Sequence, residues 1–247
     1  MGYASTHSRW DLGQLIFYDS QYMHRWLDVI GGRSVKFVED FAADYTATST
    51  GTWIYTASGT AAIASYNIEG GAIKWQSAGN DDDFVQIQKT PGFKFIDDCP
   101  IYFGVRWKLI GSAGGSASII MGLHDLDTTV IASPNTGVIF ECASAATGID
   151  MVCYSTGTGV STTVLATIVD GTWYTDEYYW DGDDSVKVWH NGAYIGAASA
   201  ASVAQTSSMG ITLAWGNEVT GASANATTIG LVVDWVRAFQ LLDVRNA

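Results

Sequence analysis

Between Trp173 and Ala197 the chain reads WYTDEYYWDGDDSVKVWHNGAYIGA, and this stretch restricts the possible folds more than any other. Two turn sequences, Asp181-Gly182-Asp183-Asp184 and Asn191-Gly192, separate short runs of Tyr, Trp and Val, which is how an antiparallel meander is written. Three consecutive strands are expected. In the middle one, Val186, Val188 and His190 should point one way and Lys187 and Trp189 the other, because strand side chains alternate with period two. A second run, Ile101–Ile110 (IYFGVRWKLI), alternates more cleanly. Ile101, Phe103, Val105, Trp107 and Leu109 form an apolar face opposite Tyr102, Arg106 and Lys108, the pattern of a strand with one buried side.

Further strand-like runs follow one another from Ser34 onward: Ser34–Val38, Thr52–Tyr55, Ala62–Tyr66, Ala72–Trp75, Phe84–Gln88, Ser118–Leu123, Gly137–Cys142, Ile149–Tyr154, Thr162–Ile168, Ile211–Trp215 and Ile229–Gln240. The acidic turn 80–83 and the glycine-rich turn 111–117 punctuate the series. Beyond Tyr22–Val29, which reads as either a strand or a short helix, the remaining helix candidate, Ala197–Gln205, is rich in Ala and Ser and reads equally as a loop. With no long helical period and no βαβ alternation, these strands predict an all-β, two-sheet antiparallel sandwich. A dozen or more strands exceed what an immunoglobulin-like domain uses.

Residues 1–34 differ in character. Trp10, Phe17, Tyr18 and Trp26 sit in a segment without a clean period, and leaving such rings in water is costly. The expected organisation is therefore an N-terminal arm, 1–34, packed on its own domain or on a neighbouring chain, followed by a jelly-roll sandwich over 35–247.

A formal charge of −13, from 12 Lys+Arg against 25 Asp+Glu, argues against nucleic acid and against anionic membrane surfaces as partners. No apolar run is long enough to span a bilayer and no secretion leader is evident at the start, so folding in a cytoplasm is expected. Cys99, Cys142 and Cys153 are odd in number and lack CxxC spacing; they read as buried thiols, with Cys142 and Cys153 able to face each other across a hairpin. Asn225-Ala226-Thr227 has the form of a glycosylation acceptor and is read as incidental.

The end of the chain carries a resemblance. YYWDGDD, SVKVWH, the Asn191-Gly192 turn and AYIGA, followed by Val233-Asp234-Trp235-Val236-Arg237-Ala238-Phe239-Gln240, resemble the closing strands of the concanavalin A-like jelly roll shared by legume-type lectins, laminin-G-like modules and β-glucan hydrolases. Val38-Glu39-Asp40-Phe41 with Thr52-Trp53 also resembles the opening of laminin-G-like proteins encoded among bacteriophage structural genes. That second resemblance implies a non-enzymatic virion protein that decorates or cements a capsid. Its implied partners are the major capsid protein and further copies of itself, as a homo-oligomer that could be a trimer. Its implied place is the virion, assembled in the host cytoplasm. The alternative is a carbohydrate-binding, lectin-like module for host attachment, and after it a β-glucan hydrolase.

The hydrolase branch carries E-x-D-x-x-E on one strand, and no such string occurs here. Asp81–Asp83, Asp97-Asp98, Asp125 with Asp127, Asp176-Glu177 and Asp181 with Asp183 and Asp184 read as solvated turn carboxylates. Calcium is the one ion left open, at Asn80–Asp83 or Asp181–Asp184. His7, His24, His124 and His190 lack metal-site spacing, and there is no G-x-S-x-G elbow. No residue is therefore assigned as catalytic, cofactor-binding or metal-binding. Trp173, Trp180, Trp189 and Trp215 are the candidates for stacking on sugar rings, with core packing as the competing role.

Overall fold

The computed structural model describes residues 6–42, 53–77, 83–90, 92–111, 117–143, 146–201, 203, 207–217 and 230–242. The acidic positions 80–82, the triplet 225–227 and most of the turn 111–117 lie outside them. Every regular element among the described residues is a strand. In chain order they are β1 (Thr6–Asp11), β2 (Gln14–Asp19), β3 (Trp26–Ile30), β4 (Ser34–Glu39), β5 (Trp53–Ala57), β6 (Ala62–Ser65), β7 (Ile73–Gln76), β8 (Phe84–Lys89) and β9 (Ile101–Ile110). There follow β10 (Ala117–His124), β11 (Gly137–Cys142), β12 (Gly148–Ser155), β13 (Thr158–Thr167), β14 (Tyr174–Trp180), β15 (Ser185–His190), β16 (Ala193–Ser199), β17 (Gly210–Asn217) and β18 (Gly230–Leu241).

Two antiparallel sheets face each other. One has seven strands in the order β13-β12-β11-β10-β17-β8-β5; the other has eight, ordered β16-β15-β14-β9-β18-β7-β6, with β4 also paired to β18. The chain passes from sheet to sheet, so that β9 and β18, far apart in sequence, pair over most of their length. Apolar residues at alternate positions fill the space between the sheets: Phe103, Val105, Trp107 and Leu109 from β9 meet Met121, Phe140, Met151 and Leu213 from the opposite layer. The run 197–205 holds no helix in its described part, since β16 occupies its first residues.

The meander forms as its sequence requires. β14 pairs β15 and β15 pairs β16, with Val186 and Val188 fully buried. Asn191 and Gly192 both have positive φ, 50° and 81°, the two-residue turn whose twist suits a hairpin. A Cβ at Gly192 would run into the ring of Tyr22, so the turn also seats the N-terminal segment.

That segment forms a third, three-stranded sheet, β1-β2-β3, lying on the outer face of the eight-stranded sheet. Ile16, Trp26 and Val29 bury themselves against Tyr102, Phe239 and Leu241 of the sandwich. Trp26 stacks on Tyr102 with centroids 6.0 Å apart. Strand β1 stays exposed, with Trp10 73% accessible.

Cys99, Cys142 and Cys153 are buried. Cys142 and Cys153 do not face each other, because the β11–β12 register sets Val138 against Cys153 and Glu141 against Asp150. Burial pushes the Cys153 thiol up to about 12, so it stays protonated.

Candidate functional site

The outer face of the seven-stranded sheet carries a cleft of about 590 Å³, within the size range of small-molecule sites. Beneath it lies a buried apolar layer set by strand alternation. Ile120, Ile139 and Ala214, one each from β10, β11 and β17, turn away from the main core and pack with Val130, Ile131 and Tyr154, of which Ile131 and Tyr154 line the cleft. Ser118, Asn217, Phe84 and Asp83 continue the lining at one end.

One wall is the connection from β10 to β11, which supplies Thr129, Ile131, Ala132 and Pro134. Two buried glutamines on β8 hold it against the sheet. The Gln86 side-chain amide donates to the Asp127 carbonyl; Gln88 donates to the Asp125 carbonyl (3.2 Å) and accepts from the Asp127 backbone N–H (3.1 Å). At the other end of the connection, His124 Nε2 accepts the Asn135 backbone N–H at 2.8 Å. A loop so tethered presents a fixed wall.

The chemically active group in the cleft is Glu141 on β11. Tyr154 on β12 donates its hydroxyl to Glu141 Oε2 at 2.8 Å. Burial raises the Glu141 carboxyl above its ordinary range; the Tyr154 hydrogen bond opposes the rise and the neighbouring charge of Asp150 adds to it. Asp150, directly across the β11–β12 ladder, is likewise raised by burial. Acceptor oxygens, an aromatic ring and the apolar side chains of Phe84, Ile131 and Pro134 form a surface suited to a hydroxyl-rich ligand with C–H faces.

None of the four tryptophans singled out in the sequence lines this cleft. Trp180 and Trp215 are core residues, and Trp180 Nε1 donates to the Asp183 carbonyl at 2.7 Å. Trp189 lies on the other sheet, stacked flat on His24 of the N-terminal segment at 4.3 Å. Trp173 is also on that side, with Arg106 and Lys108 over its ring. Glu141 and Tyr154 carried no motif; only their alternation on neighbouring strands could have placed them on one face.

The acidic clusters behave unequally. Asp83 is buried and accepts from the Thr60 N–H (3.0 Å) and hydroxyl (2.6 Å). Asp181 caps its own turn at the Asp183 N–H, and Lys187 approaches its other oxygen. Among the described residues no group of three or more His, Cys, Asp or Glu side chains could hold a metal ion.

Asp176 and Glu177, expected in solvent, are fully buried in the middle of β14 and point to opposite faces of it. Asp176 faces the core, bonded by His190 Nδ1 and Trp107 Nε1, both at 2.6 Å; burial raises its carboxyl against the pull of those two partners. Glu177 faces the N-terminal segment. Arg25 grips it with two hydrogen bonds of 2.7 Å, Tyr102 donates at 2.7 Å, and His24 Nε2 lies at 3.2 Å. Burial alone would raise Glu177, yet the His24 and Arg25 hydrogen bonds and the Arg25 charge outweigh it and lower the carboxyl to about 2. The dipeptide reads as a turn in isolation because its partners are distant in sequence.

No family model matches the chain, and no curated protein matches it. Solved structures do. An endo-1,3-β-glucanase from Streptomyces sioyaensis superposes with a TM-score of 0.59 at 10% identity, over 87% of this chain and 99% of that one. The fold is a concanavalin A-like jelly roll. The carbohydrate recognition domain of Emp47p is similar to it with a TM-score of 0.58 at 12% identity, covering 92% of this chain and 97% of that one. A protein of unknown function from Shewanella oneidensis MR-1 gives 0.61 at 15% identity, with 88% and 91% covered. At these identities the jelly roll is shared and function is not carried with it. The comparisons supply no link to virion proteins.

Proposed function

We propose that this jelly roll is a carbohydrate-binding protein that takes a glycan in the cleft over β10, β11 and β17. The observation that carries the reading is the cleft itself: a tethered loop wall, apolar lining from Phe84, Ile131 and Pro134, and Glu141 joined to Tyr154 by a hydrogen bond. Similarity to a carbohydrate recognition domain and to glucanases supports the same reading. A glycan array, run with and without calcium, tests it. Tyr154→Ala should weaken any glycan found by roughly tenfold, the value of one or two lost contacts. Absence of binding to every glycan, or undiminished binding by the variant, would remove the proposal.

A second reading, a glycoside hydrolase with displaced carboxylates, is favoured by one feature. Glu141 and Asp150 are directly opposed across the β11–β12 pair, so both carboxyl groups project from one face of the sheet, as the paired carboxylates of a glycosidase must. A raised Glu141 would serve as the acid that protonates a leaving oxygen, and Asp150 as the nucleophile. Release of reducing ends from β-1,3- or mixed-linkage glucan, cut by about 10²–10⁴-fold in Glu141→Gln, is its expected signature. No release by the wild-type protein would leave the binding reading alone.

The virion-decoration reading, in which the N-terminal arm anchors the domain to a capsid, rests on the sequence: the resemblance of the Val38–Phe41 and Thr52-Trp53 segments, the aromatic arm, the acidic charge and the missing E-x-D-x-x-E string.

A further inference from the structure

The outer face of the eight-stranded sheet is covered by β1–β3 over only part of its extent. Beyond that cover the register lays out three rows of outward-facing residues. Lys74, Val232 and Lys108 align across β7, β18 and β9; Trp235, Arg106 and Thr175 align across β18, β9 and β14; Arg237 and Gly104 follow, in the row that ends at Glu177 under the N-terminal segment. Trp173 reaches over this surface from the start of β14. Four of the chain's 12 basic residues thus lie together on a protein of net charge −13.

Three of these four, Arg106, Lys108 and Arg237, lie against aromatic rings. Arg106 and Lys108 lie 4.7 and 4.6 Å from the Trp173 centroid, Lys108 is also 5.0 Å from the Tyr66 centroid, and Arg237 is 4.5 Å from that of Trp235. Gly104 permits this layout, because a Cβ there would press on the Tyr102 hydroxyl and meet the edge of Trp235. Arg106 is paired with Asp234. Among the described residues no ion pair engages Lys108 or Arg237, and the Arg237 Nε is buried without a hydrogen-bond partner. Holding two cations without carboxylates in a chain so rich in them leaves a site complementary to a negative ligand.

We infer that this surface is a second binding site, for a polysaccharide bearing carboxylates on its sugar rings, with Trp173 and Trp235 supporting pyranose faces and Lys108 and Arg237 meeting the carboxylates. An acidic peptide would use the cations and leave the indole surfaces without a role; a uronic acid polymer uses both. The surface is on the sheet opposite the cleft, and it stands on observations that the cleft does not share.

Calorimetric titration with hexagalacturonate, beside a neutral glucose hexamer, tests the inference. The wild-type protein should bind the acidic hexamer, more weakly as salt is raised, through Lys108 and Arg237, whereas any binding of the neutral hexamer in the cleft should not depend on them. Lys108→Gln with Arg237→Gln should bind it at least about tenfold more weakly while unfolding at an unchanged denaturant midpoint. Should that pair of changes impair folding, Lys108→Gln alone, which gives up contacts to rings and the Tyr66 hydroxyl, should still weaken binding by roughly threefold. No heat with hexagalacturonate, equal loss of neutral-hexamer binding in the double variant, or an unaffected double variant would overturn the site. So would a wild-type dimer that the double variant loses in sedimentation, which would assign the surface to a second copy. The readout comes from variants of the eight-stranded sheet, so it is decided whether or not a glycan fills the cleft.

Discussion

Glu177 joins the two parts of the molecule at the level of single atoms. A carboxylate taken out of water is stable only when its oxygens are satisfied, and here an arginine fork, a tyrosine hydroxyl and a histidine do so. Removing one partner leaves a buried charge behind, so Arg25→Ala should cost on the order of 3–5 kcal/mol in a denaturant titration. The pH dependence has a definite sign. Glu177 is lowered from 4.5 to about 2, so the unfolded chain takes up its proton first on acidification. Its contribution, on the order of 3 kcal/mol, is complete above pH 4.5 and is lost as pH falls from there toward 2. Glu141 and Asp150 are raised instead; they oppose folding at neutral pH and that cost fades as they protonate. A stability profile in which Glu177→Gln removes the steep acid limb is expected; an unchanged limb would contradict the assignment.

At the level of elements, much of the sandwich can be read directly from the residues. Ile101–Ile110 alternates because one face of β9 is core, and the Asn191-Gly192 turn fixes the β15–β16 hairpin through its positive φ values. The N-terminal segment was less legible. Trp10, Phe17, Tyr18 and Trp26 announce an aromatic surface that needs cover, but the surface that covers Trp26 is made by Tyr102, Tyr179 and Phe239, whose strands lie far along the chain. The cleft was hidden for the same reason. Glu141 and Tyr154 are ordinary strand residues until pairing of β11 with β12 sets them on one face. Trp26→Ala should therefore destabilise the molecule by about 3–5 kcal/mol and speed tryptic cleavage in the first 34 residues, read by limited proteolysis. Cleavage at the wild-type rate would show that packing on Tyr102 does not hold the segment.

On the scale of the whole molecule, three layers divide the work. The two-sheet sandwich supplies a rigid core, the three-stranded sheet covers part of one outer face, and the outer face of the other sheet carries the cleft. Deleting residues 1–30 would uncover Tyr102, Phe239, Leu241 and the Glu177 carboxylate together. The truncated chain should melt at lower temperature and self-associate, as light scattering would report. An equally stable monomer would mean that the cover is dispensable. The central claim, that a glycan is held on the seven-stranded sheet, is tested most directly by mapping backbone amide shifts during titration with a glycan found on the array. Perturbations should centre on Ser118, Glu141, Tyr154 and Gly216; perturbations confined to the Asp181–Asp184 turn or to the first 34 residues would place the glycan elsewhere.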